Sequence, residues 1–279
     1  MHFYTYDDWV AHAYSTKNDK EIFKGQTKII DVTDRIYTTG STTGKIRKLN
    51  ITSRFNPTIS VKSTAINPTF DFYASNVDCD LGCLYKYKDG RYGPKESKYK
   101  NSGCIQMLGN DYGSEYPDAF QWPYIHLLTS KDTGWSDLTT EILTIWIDAS
   151  NFQRLDKILV FQSIYSGCIE FSECQTSLEF QLGQIPGYAD QSFTQYDYII
   201  NTNLYSATSQ MIVGALITFD TSGEGQDRRY NLIIENISEF VYGHVDMAQK
   251  FEWKNLWKCF QPSKNSKAMP SSIMHYSKD

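Results

Sequence analysis

The stretch Val77-Asp-Cys-Asp-Leu-Gly-Cys-Leu-Tyr-Lys-Tyr87, closed by Lys88-Asp-Gly90, decides how this chain folds. Asp-Gly is a strong turn dipeptide, so the residues before it read as one strand. Side chains alternate between the two faces of a strand. Cys79, Leu81 and Cys83 then share one face, and Asp78 and Asp80 share the other. The rise of a strand sets those two aspartates about 7 Å apart. Carboxylates that close repel each other unless a cation, a proton or a donor group lies between them.

The same strand-and-turn grammar extends in both directions. Thr58 to Ile66 alternates, with Ile59, Val61, Ser63 and Ala65 on one side. Further strands are predicted at Cys104–Leu108, Tyr124–Leu128, Ile142–Ile147, Lys157–Tyr165, Leu178–Leu182, Met211–Phe219 and Tyr230–Ile237. Residues 88–103 form a polar loop, Asp148–Asp156 has room for one helical turn, and Ser222–Asp227 is a turn. Only Gly243–Trp257 has helical spacing, through Val245, Ala248, Phe251 and Leu256. Many short strands and one terminal helix predict an all-β, mainly antiparallel sandwich with one short C-terminal helix. The expected organisation is an N-terminal arm over 1–20, one domain over 21–261 and a flexible tail over 262–279.

Composition narrows the function classes. The 20 tyrosines and 15 phenylalanines supply core area despite a hydrophobic fraction of 41%. A net charge of −5 lacks the basic excess of a general nucleic-acid binder. No run reaches the roughly 18 apolar residues of a membrane span. The first residues carry Asp7 and Asp8 without an apolar run, which reads against a secretory signal and for a cytoplasmic protein. On that reading the six cysteines (79, 83, 104, 168, 174 and 259) are reduced, mostly buried thiols. The sequons at Asn50-Ile-Thr52 and Asn236-Ile-Ser238 then carry no glycan.

Catalytic motifs are missing from the sequence. It has no G-x-S-x-G and no H-E-x-x-H, and Gly44-Lys45 is followed by Ile46 rather than a hydroxyl residue. Gly223-Glu-Gly225 lacks the third glycine of a dinucleotide site, and the five histidines are scattered. Asp78 and Asp80 supply part of the six to eight oxygens that calcium takes. Asp132 and Asp137, in the loop from Thr129 to Asp137, and Glu141 are the candidates for the rest. The bland alternative leaves Asp78 and Asp80 merely facing solvent. A zinc pair at Cys79 and Cys83 lacks a second Cys/His pair at ligand spacing. Trp253 and Trp257, four apart, read as one helix face packed on the sheet.

These stretches resemble the tellurite-resistance proteins of the TerD superfamily, TerA-like branch. Asp78-Cys-Asp80-Leu-Gly-Cys-Leu-Tyr85 and Lys88-Asp-Gly90 are similar to that family's D-L-D-L-G-C-L-Y…K-D-G. In order follow Ile105-Gln-Met-Leu-Gly109, Pro123-Tyr-Ile125…Leu127 with Asp132-Thr-Gly134, and Lys157-Ile…Phe161…Ile164-Tyr-Ser-Gly167. Ile22-Phe-Lys-Gly-Gln26 resembles the opening segment, and Gly243-His244…Met247…Phe251-Glu-Trp253…Trp257 the closing one. The resemblance spans about residues 22–260.

It implies a cytosolic, calcium-binding β-sandwich that is not an enzyme and works by association or scaffolding in tellurium-resistance and stress-response systems. Asp78 and Asp80 match the first acidic pair. In the second motif Ser130 and Lys131 stand where the family has acids, with Asp132 kept beside Thr133; Glu141 and Glu173 match later glutamates. Lys131 brings an ammonium that competes with a cation for carboxylates. Two rivals follow: an assembly subunit that lost its metal and docks through Phe3, Tyr4, Tyr6 and Trp9, and an enzyme using Asp78 and Asp80 as an acid–base pair. Expected partners are other proteins of the same system or a second copy of this chain.

Overall fold

Alternation of apolar with polar residues at a period of two builds nearly every element. The computed structural model describes residues 19–36, 48–55, 58–62, 71–75, 78–88, 102–106, 125–129, 139–166, 176–183, 196–202, 211–241, 244–245 and 260–261. The strands are β1 (Thr27–Asp31), β2 (Lys48–Phe55), β3 (Thr58–Lys62), β4 (Asp71–Ser75) and β5 (Asp78–Tyr87). Then come β6 (Ser102–Gln106), β7 (Ile125–Thr129), β8 (Thr139–Trp146), β9 (Leu155–Ser166) and β10 (Ser177–Gly183). The chain continues through β11 (Tyr198–Ile200), β12 (Met211–Ser222), β13 (Arg229–Val241), β14 (His244–Val245) and β15 (Phe260–Gln261). One short helix, α1 (Ala149–Arg154), joins β8 to β9.

Two sheets carry the fold. The larger has the order β1-β13-β12-β9-β5-β6 and the smaller β11-β10-β2-β8-β7. β3–β4 and β14–β15 are separate pairs. Every ladder between named strands is antiparallel. The core lies between the sheets. Leu49, Ile51, Leu143, Ile145, Leu178 and Phe180 enter it from the smaller sheet, and Leu81, Cys83, Tyr85, Val160, Ile217 and Ile234 from the larger. The expected all-β sandwich is the observed fold.

Local features fix how the layers meet. α1 starts because Asp148 Oδ1 accepts the Asn151 N–H at 2.7 Å. Its Phe152 is buried edge-on against Phe219 (5.3 Å) and Tyr230 (5.4 Å). This is the single helical turn expected between Asp148 and Asp156. A β-bulge interrupts β12 between Val213 and Ala215. There a Cβ on Gly214 would fall 2.4 Å from Leu178 Cδ1 of the facing sheet, so any larger residue must push that methyl aside.

The segment before β1 ties both sheets together. Ile22 N–H donates to the Ile199 carbonyl at 2.9 Å, and Ile199 N–H donates to the Lys20 carbonyl at 3.0 Å. The chain then crosses to the larger sheet. Gly25, at φ +77°, donates to the Asn236 carbonyl, and Asn236 N–H donates to the Gln26 carbonyl before β1 joins β13.

Two expectations change. The C-terminal helix does not begin at Gly243: His244 and Val245 are extended and pair with Gln261 and Phe260. The remainder of that stretch, with Trp253 and Trp257, lies outside the described residues, as do residues 1–18 and 262–279. Tyr230–Ile237 is likewise not the last strand, because β14 and β15 follow it. No helix among the described residues is long and apolar enough to cross a membrane.

Candidate functional site

Of the acidic residues singled out by the sequence, Asp80 and Glu141 have described side chains, and both meet the start of β5. β5 turns Leu81, Cys83 and Tyr85 into the core, which puts Asp80 on the reverse face. Asp80 there lies opposite Ser163 of β9, which continues the row to Met211 and Val241. Asp80 is nonetheless buried, at 6% exposure. Asp78 opens the same strand opposite Ser166, beyond a register shift; its side chain lies outside the described residues.

Glu141 was expected as a loop donor, and the structure corrects this. It sits inside β8, whose Leu143 and Ile145 point into the core, so Glu141 points inward at the end of that core. It is 7% exposed. Its carboxylate reaches the other sheet, where Oε2 accepts the Leu81 N–H at 2.5 Å. The reason is topological: β6 pairs with β5 only from Gly82 to Lys86, so the Leu81 N–H lies beyond that register. A buried backbone N–H must find an acceptor, and the charged one from β8 provides a strong bond.

A polar layer continues beside Glu141. In the smaller sheet the row runs Thr129–Glu141–Ser53–Leu178–Ile200. Facing it, Leu81 pairs with Gln162. Gln162 Nε2 donates to Ser53 Oγ at 2.7 Å and to the Ser177 carbonyl at 3.2 Å. Thr202 Oγ1 donates to Gln162 Oε1 at 2.9 Å and lies 2.8 Å from Thr176 Oγ1. Sequence reading missed this network. Its signal was one glutamine inside the apolar run Lys157-Ile-Leu-Val-Phe-Gln-Ser-Ile-Tyr165.

The remaining candidates, Asp132 and Asp137, lie outside the described residues, as do Ser130, Lys131 and Glu173. Thr129 and Thr139 bracket residues 130–138, and Thr129 pairs with Glu141 itself. Ser166 and Thr176 bracket residues 167–175, and Ser166 pairs with Asp78. Of the five candidates, only Asp80 and Glu141 have described side chains.

Carboxylate oxygens are the donors a hard cation prefers, and the charges suit calcium. Two residues cannot fill six to eight positions, and no cluster of three or more His, Cys, Asp or Glu occurs among the described residues. The donor chemistry of Asp80 and Glu141 fits a hard cation, and their number does not complete its shell. Cys79 and Cys83 are buried thiols within β5 rather than half of such a cluster. Lys88, from the Lys-Asp-Gly turn, sits at the far end of β5, where Nζ donates to the Phe152 carbonyl at 2.9 Å. Burial holds its ammonium below the ordinary lysine range, against the opposing pull of Asp156 and Asp220. Its work there is structural.

No protein-family model matches the chain, and no curated protein or solved structure matches it either.

Proposed function

We propose that this chain is a non-enzymatic binding or scaffold protein of the TerD type, in which the polar end of the sandwich takes up calcium. The observation that carries the reading is burial of two carboxylates near the start of β5, Asp80 on the outer face of that strand and Glu141 reaching its Leu81 N–H from the facing sheet. Burying an anion is costly unless cations or donors offset it, so each buried carboxylate marks a point that needs charge compensation. Asp78, Asp132 and Asp137 would complete the oxygen set. The colinear motifs over residues 22–260 support the family reading, a tellurium-resistance or stress-response role, a cytoplasmic setting and protein partners. The negative net charge supports a role away from nucleic acid.

Calorimetric titration of the chelator-stripped chain with calcium tests this, beside an Asp80→Asn/Glu141→Gln variant. Saturable binding that the variant lacks, with a melting temperature that rises with free calcium, is expected. No heat and no stabilisation at millimolar calcium would overturn it.

One observation favours a second reading. Glu141 Oε2 already accepts a backbone N–H, so the carboxylate can serve as a clasp between the sheets without any ion. Lys131 points the same way, since an ammonium can neutralise an acid in place of a metal. The chain would then be an assembly subunit that kept the sandwich and lost its metal. A calcium-silent protein that Glu141→Ala destabilises is its signature.

A further inference from the structure

The outer edge of the larger sheet is self-complementary, and we infer that β1 pairs antiparallel with β1 of a second copy of this chain. β1 ends its sheet, with β13 on one side and no strand on the other among the described residues. Val32 N–H donates to the Tyr230 carbonyl, and Asn236 N–H donates to the Gln26 carbonyl. That parity assigns the even-numbered residues of β1 to bonds with β13. The N–H and C=O groups of Thr27, Ile29 and Asp31 consequently point to the open edge. An exposed row of this kind is a template for strand addition.

Side chains on this edge agree. Ile29 is 64% exposed and Phe23 is 49% exposed, and these are the exposed large hydrophobic residues among the described ones. Both belong to this one segment. The usual guards of an edge are weak here: the strand has no proline, and Lys28, on its inner side, holds its ammonium over the Tyr198 ring at 5.1 Å.

Register and charge select the occupant. A two-fold axis through Ile29 sets Ile29 against Ile29 and Thr27 against Asp31. All the edge-facing groups of β1 are then used in both copies. Within β1 the charges are segregated, Lys28 toward one end and Asp31 at the other. Antiparallel self-pairing brings each positive end to the other copy's negative end, whereas parallel pairing would stack like on like. The two larger sheets would merge into one continuous sheet, an isologous contact.

The test is sedimentation velocity on the full chain, with Ile29→Pro and Ile29→Lys. Proline at 29 deletes an N–H that faces the open edge, so every bond between β1 and β13 is kept. Lysine places like charges opposite each other at the axis. A dimeric parent with two monomeric variants, each retaining the parent's circular dichroism and melting temperature to within a few degrees, is expected. A monomeric parent at about 100 μM would overturn the inference, as would variants that stay dimeric. Should Ile29→Pro unfold, Ile29→Lys alone decides.

Discussion

Replacing Gln162 by Leu tests whether the polar layer at the site end holds the two sheets together. Gln162 is completely buried, and its amide makes three hydrogen bonds, to Ser53, to the Ser177 carbonyl and from Thr202. Leucine nearly conserves volume, so no large cavity opens. Each neutral bond is worth about 1 kcal/mol net, which gives about 3 kcal/mol for the set. Burying the new apolar atoms returns on the order of 1 kcal/mol. Orphaned partners add back about 1–3 kcal/mol each where they cannot reorient, and Thr202 keeps Thr176 within reach. A net loss of about 2–4 kcal/mol is expected. Urea unfolding followed by tryptophan fluorescence measures it, with an unchanged m-value showing that the same surface is exposed. Combining the change with Thr202→Val should reveal a coupling of about 1 kcal/mol, since the two residues share one bond. A loss under about 1 kcal/mol with no coupling would refute the reasoning and make the layer incidental.

Two further outcomes follow from the packing and the charges. Phe152→Ala removes the ring wedged against Phe219 and Tyr230 and should cost about 3–5 kcal/mol in chemical denaturation; less than about 2 kcal/mol would show that α1 is not anchored through it. Glu179 is held above the ordinary carboxylate range mainly by burial, against the pull of Arg54, whose Nε lies 2.6 Å from Oε2. A raised folded value means that its favourable contribution is full below the unfolded value, near 4.5, and is lost as pH rises through the folded value. Glu179→Gln should therefore flatten the fall in melting temperature just above pH 4.5, and identical pH profiles for parent and variant would count against it.

Much of the fold was legible in the sequence, and the misses have physical reasons. Strands with two or more apolar residues on one face announced themselves: β5, β9, β12 and β13 fall within a few residues of their expected bounds. β1 was missed because it commits Ile30 alone to the core and leaves Ile29 in water. β2 was missed for a different reason. Asn50, Thr52 and Ser53 are buried in it, and burial of polar residues defeats an alternation read from hydropathy. At the site, Asp80 was readable from its strand. The inward turn of Glu141 was not, since it depends on where β6 stops pairing across the sandwich, a property of the assembled sheets.

The strap from Lys20 to Asp31 also sets an order of events during synthesis. Its partners are Ile199 and β13, so its contacts span roughly the whole chain between them. Contacts of such long range are slow to form, because chain entropy is spent before they give anything back. Residues 27–31 must wait until β13 has left the ribosome before their strand has a neighbour. Until then β11 and β13 lack their outermost cover, and the nascent chain presents open strands that invite association. The last step of folding is thus performed by a segment made well before its partners.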